Sequence, residues 1–140
     1  MREAAERGHE IGNHTYSHST RHDGSTDLLR DISKCEEAVY RACGAKTHLF
    51  RPPGGVKESC AGDVMSRISY RLVMWTVDTR DWAKTPASKI VSTVMKSVKD
   101  GSIVLFHDFT CDGCRTYDAL SELLPALIES GYEFVTVSEL

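Results

Sequence analysis

The sequence predicts an α/β fold with parallel strands, and two observations support this fold class. Short apolar or extended segments alternate with helical segments along the 140 residues, which is the pattern of β-α units joined by right-handed crossovers. Two predicted strands contain the continuous apolar runs Leu72–Trp75 and Ile103–Phe106, which are typical of strands buried on both faces. No low-complexity linker interrupts the pattern, so we expect one domain over residues 1–140.

The amino-terminal half is predicted to begin with a short extended segment, His9–Asn13. A helix is expected over Asp27–Ala42, with Gly44 ending it, because glycine readily adopts the left-handed backbone found after helices. Thr47–Arg51 is the next predicted strand, and Glu58–Ser69 is a predicted helix. The first helix carries apolar residues at three- and four-residue steps: Leu28, Leu29, Ile32, Cys35 and Val39.

The carboxyl-terminal half is predicted to contain three strands separated by two helices. One helix is expected to start with Thr85 as its N-cap and Pro86 at its first position, and Gly101 follows its end. The other is expected over Tyr117–Ser130. The strands are predicted at Arg71–Asp78, Ser102–His107 and Tyr132–Val137. The inward-facing residues are expected to be Ile90, Val91, Val94 and Val98 in the first helix and Leu120, Leu123, Leu124, Leu127 and Ile128 in the second.

Charge and hydropathy exclude two classes of partner. The formal net charge is −3, from 17 basic and 20 acidic residues, and no basic stripe is present, so we expect no nucleic-acid partner. No apolar run reaches the roughly 18 residues of a membrane-spanning helix, so we expect no membrane span. The first residues lack the apolar core of a signal peptide, which leaves the localisation unknown.

The five cysteines form an odd set that does not indicate a disulfide framework. Cys35 and Cys43 lie in a helical pattern, where a free cysteine behaves as a small hydrophobic residue. Cys111 and Cys114 are the one pair with ligand-like spacing. A plain loop, an optional disulfide, a redox pair and part of a zinc site all remain open for this pair.

Ionisable residues follow four of the predicted strands. In parallel α/β folds ligands bind at the carboxyl ends of strands, so we expect these residues to lie on one face of the sheet. Gly54 and Gly55 would let backbone N–H groups approach a ligand closely. The residues at the strand ends are His14 and His18, then Arg51, then Asp78 and Asp81-Trp82, and finally His107-Asp108.

Each of these residues also has a purely structural interpretation. His14 and His18 have the spacing of two metal ligands, but a zinc site needs a third protein ligand, and the pair could lie in an exposed loop. His107 follows four apolar residues and, taken alone, suits a buried structural histidine. His9, His22 and His48 lack a comparable context and are interpreted as structural or surface residues.

Four segments in the right order resemble the motifs of the polysaccharide deacetylases, the NodB-homology domains of carbohydrate esterase family 4. Glu10–His18 is similar to the family's second motif, H-(S/T)-x-x-H, and Arg51–Gly54 is similar to the third. Asp78–Trp82 resembles the fourth motif, and Leu105–His107 resembles the fifth, L-x-H. The last residues, Phe134–Leu140, are similar to the family's usual final strand.

The resemblance implies a distorted (β/α)₇ barrel that hydrolyses N- or O-acetyl groups on sugars with the help of a divalent metal. The implied substrates are acetylated polysaccharides or oligosaccharides such as chitin oligosaccharides, peptidoglycan or xylan. By position, His14 and His18 would be metal ligands, with Zn²⁺ expected and Co²⁺ or Ni²⁺ as alternatives. Family members usually act outside the cell or at its wall.

The resemblance also assigns roles to the other motif residues. His107 would be the general acid, Asp81 would hold its ring in orientation, and Arg51 would orient the catalytic base. The backbone N–H of Gly54 would help bind the oxyanion. Leu105 and Trp82 would line a pocket for the acetyl group.

The family's first motif, two adjacent aspartates that supply the base and the third metal ligand, does not occur in this sequence. Only 13 residues precede His14, so we expect a barrel lacking its first one or two β-α units, weakened metal affinity and impaired activity. Exposed sheet edges would then favour a homo-oligomer.

Two alternatives remain open. One is a catalytically inactive fragment that binds sugars, with Tyr16 and Trp82 as stacking platforms. The other is a different zinc hydrolase whose third ligand is Asp78, Asp108 or a cysteine of the 111–114 pair.

Overall fold

The computed structural model describes residues 1–56, 61–108 and 114–140. The chain divides into two compact units. Unit 1 comprises Met1–Met74 with Thr136–Ser138, and unit 2 comprises Trp75–Val135 with Glu139–Leu140. Each unit contains helices and one pair of parallel strands, which agrees with the predicted fold class.

Among its described residues, unit 1 contains three α-helices and one pair of parallel strands, β1 (Leu49–Phe50) and β2 (Arg71–Leu72). Leu49 pairs with Arg71 and Phe50 pairs with Leu72, and Asn13 forms a single parallel bridge to Phe50 on the other side of β1. Ser138 lies in this unit, and its backbone N–H and its hydroxyl both donate to the Glu10 carboxylate. The elements are α1 (Arg2–Glu6), α2 (Ser25–Cys43), β1 (Leu49–Phe50), a short 3₁₀ helix (Pro53–Gly55), α3 (Ala61–Ile68) and β2 (Arg71–Leu72).

Helix α2 forms where its apolar periodicity predicts, starting two residues earlier than expected. Gly44 ends it with a left-handed backbone (φ 72°), as predicted. Leu28 and Ile32 are buried against Phe50 of β1, and this contact builds the core of unit 1 together with Val64 and Met65 of α3. Strand β1 is thereby fixed against α2, which matters for the residues that follow the strand.

Within the part of unit 2 that the structure describes there are two α-helices and one pair of parallel strands, β3 (Val77–Asp78) and β4 (Val104–Leu105). Val77 pairs with Val104, and Asp78 pairs with Leu105. The elements are β3 (Val77–Asp78), a short 3₁₀ helix (Asp81–Ala83), α4 (Ala87–Ser97), β4 (Val104–Leu105) and α5 (Cys114–Glu129). The core consists of apolar residues from one strand and both helices: Val77, Ile90, Val94, Ala119, Leu123 and Leu127.

The predicted strand Arg71–Asp78 is wrong as a single element. Arg71 and Leu72 pair with β1, whereas Val77 and Asp78 pair with β4, so the segment contains two short strands. The apolar run inside it is not buried on both faces, since the side chain of Leu72 is exposed. An apolar run cannot indicate which neighbour each residue will pair with, because pairing is a tertiary property.

The predicted final strand, Tyr132–Val137, is also wrong. Among the described residues these positions join no ladder, and a 3₁₀ helix covers Val137–Glu139. The side chains of Phe134 and Val135 are more than half exposed. Apolar character and β propensity favour an extended backbone, but a strand needs a hydrogen-bonded neighbour as well.

Two helix details differ from the predictions. Pro86 is the N-cap of α4, and the Thr85 hydroxyl donates instead to the Arg80 carbonyl at 2.7 Å. In α5 the inward positions are Ala119, Leu123 and Leu127, whereas Leu124 and Ile128 are exposed. Ala119, Leu123 and Leu127, which are spaced four residues apart, pack into the core of unit 2. The prediction followed the leucine-rich stripe instead, and it therefore placed the inward face a fraction of a turn away.

Several predictions concern residues outside the described ranges. The expected start of a helix at Glu58 lies there, as do Cys60 and Cys111 of the cysteine set. Cys35 and Cys43 are free thiols that are partly buried in α2, in agreement with the prediction. Within the described ranges, no helix has the length and apolar character needed to cross a membrane.

Candidate active site

The turn from His14 to His18 follows directly after the segment that pairs with β1. The backbone N–H of Asn13 donates to the Leu49 carbonyl at 2.7 Å, and the N–H of Arg51 donates to the Asn13 carbonyl at 3.0 Å. These segments run parallel, so the residues that follow them emerge at the same end. His14 and Arg51 are therefore neighbours, as the strand-end rule predicts.

The backbone of Arg51 orients the ring of His14. His14 Nδ1 lies 2.6 Å from the Arg51 carbonyl oxygen, and because a carbonyl only accepts, Nδ1 carries the proton. The ring centroids of His14 and His18 are 5.0 Å apart, with an angle of 73° between the ring planes. His14 is partly buried and His18 is exposed. An imidazole with one nitrogen held by a carbonyl is the usual form of a histidine ligand.

The turn itself has an unusual backbone. Thr15 (φ 62°) and His18 (φ 56°) both adopt the left-handed conformation, which is uncommon for residues other than glycine. Two side chains hold this geometry: Asn13 Oδ1 accepts from the Thr15 N–H at 3.0 Å, and Thr15 Oγ1 accepts from the His18 N–H at 3.1 Å. The threonine of the H-T-x-x-H motif therefore supports the turn internally.

Asp31 of α2 lies behind the turn and was missed by the sequence predictions. Its carboxylate accepts from the Ser17 N–H at 3.1 Å and from the Ser17 hydroxyl at 2.6 Å, and His22 Nε2 lies 3.1 Å away. Burial alone would raise the pKa of Asp31, but these hydrogen bonds outweigh it and leave the pKa below its ordinary value. One feature of the sequence could have indicated its role: Asp31 is a charged residue within the apolar stripe of α2, three residues after Leu28 and next to Ile32.

Arg51 and Gly54 follow β1 in the order that the third motif predicts. The Arg51 side chain is partly buried, its Nε donates to the Val73 carbonyl at 3.3 Å, and burial lowers its pKa. Gly54 is exposed and has a left-handed backbone (φ 61°), and a Cβ at this position would lie 3.4 Å from the Thr20 methyl group. Glycine is thus favoured here for its backbone, as the motif requires. The roles of orienting a base and binding an oxyanion stay predictions.

The donor chemistry of the two imidazoles fits Zn²⁺, Co²⁺ or Ni²⁺, and His14 and His18 would be the residues that hold the ion. A catalytic zinc site uses three protein ligands and an open position. Over residues 1–56, 61–108 and 114–140, no cluster of three or more His, Cys, Asp or Glu side chains is placed to hold a metal. The histidine pair therefore supplies part of a ligand set.

In unit 2 the register of β3 and β4 determines where the next two motif residues meet. Asp78 lies opposite Leu105, and the Thr79 hydroxyl donates to the Leu105 carbonyl at 2.7 Å. Asp81 and His107 follow these strands at the same carboxyl end, as predicted. The sequence spacing alone could not give their distance, which depends on this register.

Asp81 and His107 form a close carboxylate–imidazole pair. His107 Nδ1 lies 2.7 Å from Asp81 Oδ1, and the His107 backbone N–H donates to Oδ2, also at 2.7 Å. The hydroxyl of Thr116, in the first turn of α5, donates to Oδ2 at 3.0 Å. Asp81 is 3% exposed, and the His107 side chain is 37% exposed. The pair thus combines a buried carboxylate with a ring that reaches solvent.

The hydrogen bonds also decide the ionisation of Asp81. Burial acts to raise the pKa of Asp81, but donation from the His107 N–H, the His107 ring and the Thr116 hydroxyl outweighs burial and lowers the pKa. Asp81 is therefore an anion at neutral pH. An anionic acceptor fixes the Nδ1 proton of His107 and leaves Nε2 for exchange with a substrate.

The remaining predicted site residues differ in their exposure to solvent. Trp82 is 54% exposed, and the Arg80 guanidinium carbon lies 5.6 Å from its ring centroid. Tyr16 is 64% exposed, whereas Leu105 is buried. A pocket for the acetyl group, lined by Leu105 and Trp82, stays a prediction.

The alternative zinc hydrolase gains no support from the described residues. Asp78 Oδ1 accepts from the Arg80 N–H at 2.9 Å, and Asp108 is exposed. Neither joins a cluster with two histidines within the described ranges, and Cys111 lies outside them.

The family model described as polysaccharide deacetylase matches residues 1–73. A peptidoglycan-N-acetylglucosamine deacetylase from Bacillus cereus is 37% identical over 142 residues, which cover 100% of this chain and 67% of that protein. The chain belongs to the polysaccharide deacetylase family. The resemblance inferred from the four motifs is therefore confirmed.

Solved structures of this deacetylase family share the fold. An acetyl xylan esterase from Clostridium thermocellum, in complex with a cobalt ion, has a TM-score of 0.89 and 29% identity over 99% of this chain and 66% of that one. A family 4 pseudoenzyme from Bacillus anthracis has a TM-score of 0.88 and 28% identity over 99% of this chain. The present chain spans 48% of that pseudoenzyme, about half its length.

The lowered pKa of Asp81 predicts a specific pH dependence of stability. Its ordinary pKa is 3.8, so the stabilisation from its hydrogen bonds is present above that pH and is lost as the pH falls through the lower folded-state value. We expect Asp81→Asn to lower the free energy of unfolding by about 1–3 kcal/mol near neutral pH and by less at an acidic pH below 3.8.

Urea unfolding followed by circular dichroism at both pH values measures the difference. Asp118→Asn, at an exposed position of α5, is the matched control and should leave stability nearly unchanged at both pH values. An equal loss for Asp81→Asn at the two pH values would contradict the assignment.

Proposed function

We propose that this chain carries the general-acid half of a metal-dependent polysaccharide deacetylase of (β/α)₇-barrel type. The single observation that carries the proposal is the Asp81–His107 pair. His107 is oriented by a buried anion through its ring and its backbone, while its side chain reaches solvent. A purely structural histidine needs no such orientation of an exposed ring.

The proposed reaction assigns a role to each group of motif residues. Asp81 holds Nδ1–H of His107 and balances the ring's positive charge, so Nε2 can deliver a proton to the leaving amine of the sugar. When bound, a divalent ion, Zn²⁺ in preference to Co²⁺ or Ni²⁺, would supply Lewis-acid polarisation of the acetyl carbonyl and would acidify the attacking water. His14 and His18 would contribute two of its ligands, and the N–H of Gly54 would help bind the oxyanion.

The substrate class follows from the family. The Bacillus cereus relative is named for peptidoglycan N-acetylglucosamine and the Clostridium thermocellum structure for acetyl xylan, so an acetylated polysaccharide is the proposed substrate. The 140-residue sequence has no Asp-Asp pair, which the family uses as base and third ligand. We therefore propose that this polypeptide is by itself poorly active.

A deacetylation assay tests this proposal directly. With an acetylated chito-oligosaccharide and added Zn²⁺ or Co²⁺, the 140-residue polypeptide should release acetate at no more than background rate. Joining it to a segment from an active family member that carries the Asp-Asp strand should raise the rate by about 10²-fold or more, because a base and a third ligand are restored.

His107→Ala in the joined protein is the control that links the rate to this chain. It should lose most of the restored activity, about 10²-fold or more, as expected for removal of a general acid. Robust turnover by the 140-residue polypeptide alone would overturn the proposed impairment. Full activity of the joined His107→Ala variant would overturn the role of His107.

A second candidate function is sugar binding without catalysis. Tyr16 is exposed beside a shallow groove of about 580 Å³, and family 4 includes a structurally similar pseudoenzyme. Exposed aromatic rings can stack on the apolar faces of sugars. The groove is lined by Tyr16, Lys34, Glu37, Ala38, Arg41 and Ala42.

Substitution of Tyr16 tests whether the chain binds sugars through this groove. If the chain binds sugars through this surface, Tyr16→Ala should weaken the affinity for an acetylated chito-oligosaccharide by about threefold to tenfold, measured by calorimetry. Tyr40→Ala is the matched control, since Tyr40 is exposed on α2 outside the groove lining. Equal effects of the two substitutions would exclude Tyr16 as a stacking platform.

Self-association is a further proposal that concerns the sheet edges. Among the described residues each sheet contains two strands, with one further bridge from Asn13 to Phe50, and Leu72 of β2 is exposed. Short parallel pairs present backbone groups that can pair with another chain. We expect a homo-oligomer at high protein concentration, and light scattering that shows a monomer at every concentration would contradict this.

A further inference from the structure

The carboxylate of Asp31 collects three hydrogen bonds from one surface loop. Ser17 contributes its backbone N–H at 3.1 Å and its hydroxyl at 2.6 Å, and His22 contributes Nε2 at 3.1 Å. The side chains of Asp31 and His22 are 11% and 3% exposed, so these two side chains are withdrawn from water, whereas Ser17 is exposed. Surface aspartates seldom combine such burial with three donors from one segment.

The position of Asp31 in α2 gives this cluster a rigid base. Asp31 lies between Leu28 and Ile32, whose side chains are buried in the core of unit 1. The next residue also contacts the turn, since Asn13 Nδ2 donates to the Ile32 carbonyl at 2.9 Å. Ile32 and Asp31 therefore hold Asn13 and Ser17, the residues that directly precede His14 and His18.

The backbone of the turn explains why such anchoring is needed. Thr15 and His18 both have left-handed φ values, which non-glycine residues keep only where surrounding contacts enforce them. The Thr15 hydroxyl contacts the His18 N–H from inside the turn, but it fixes no point of the turn to the rest of the fold. Ser17 supplies such a point through Asp31 at the His18 end of the turn, in addition to the contact of His14 with the Arg51 carbonyl at the other end.

We propose that Asp31 is a positioning residue that fixes the His14–His18 turn to α2 and so sets the separation of the two imidazoles. The part of this proposal that concerns metal binding rests on the proposed function, in which the two histidines hold a divalent ion. The anchoring itself is a property of the chain without any ion. His22 completes the set of donors around the carboxylate and keeps it ionised, in agreement with the lowered pKa of Asp31.

Amide hydrogen exchange in the metal-free chain tests the anchoring. In Asp31→Asn, exchange of the Ser17 and His18 amides should accelerate by at least about tenfold, because hydrogen bonds to a charged group are lost. Amides in the middle of α2 should keep their exchange rates. Glu36→Gln, which removes the same charge from a partly exposed position of the same helix outside the groove lining, is the control and should leave the turn unchanged.

Substitutions at Ser17 keep the test valid if Asp31→Asn does not fold. Ser17→Ala removes the hydroxyl donor but leaves the backbone N–H, so it should accelerate exchange of the same two amides by a smaller factor. Ser17→Thr retains a hydroxyl and should restore slower exchange. If Ser17→Ala and Asp31→Asn both leave the turn amides unchanged, or if they accelerate exchange equally throughout α2, the positioning role is overturned.

Titration with Co²⁺ alone, followed by its visible absorption, tests the consequence for metal binding. Asp31→Asn should weaken Co²⁺ affinity by about tenfold or more, the usual effect of losing a residue that orients a ligand. Unchanged affinity would overturn the proposed effect on the imidazoles. A wild-type chain that binds no Co²⁺ would instead refute the metal-binding role of the histidines, while the exchange rates would still decide whether Asp31 anchors the turn.

Discussion

Parallel pairing of very short strands is the constraint on which the chemistry of this chain depends. A pair of residues in each strand suffices to fix register, and register fixes which side chains emerge together at the carboxyl ends. In unit 1 the result is His14 beside the Arg51 backbone, and in unit 2 it is Asp81 beside His107. Without the ladders, these residues would simply be polar positions in loops.

Each unit uses a buried aspartate to convert that placement into a defined side-chain geometry. Asp81 binds the ring and the backbone of His107, and Asp31 binds the backbone and hydroxyl of Ser17 in the histidine turn. Burial alone would favour the neutral acid in both cases. The donors outweigh burial, so both carboxylates remain anionic and their hydrogen bonds become charge-assisted. Ionisation and positioning are therefore consequences of the same contacts.

Much of this could be predicted from the sequence because it rests on local patterns. The apolar periodicity of α2, the left-handed glycine after it and the order of the four motifs all depend on short stretches of chain. The failures involve partners that are distant in sequence. The split of Arg71–Asp78 and the missing ladder at Tyr132–Val137 depend on which backbone lies alongside, and Asp31 was missed because its donors lie in the loop before α2.

The central claim is that the acid half of the site is assembled in this chain even though the sequence holds no Asp-Asp pair. The most direct test is the ¹⁵N spectrum of the His107 ring in the isolated chain, recorded where the ring is neutral. The geometry predicts a single tautomer with the proton on Nδ1, because Asp81 accepts it at 2.7 Å. A proton on Nε2, or a mixture of tautomers like that of free imidazole, would contradict the claim.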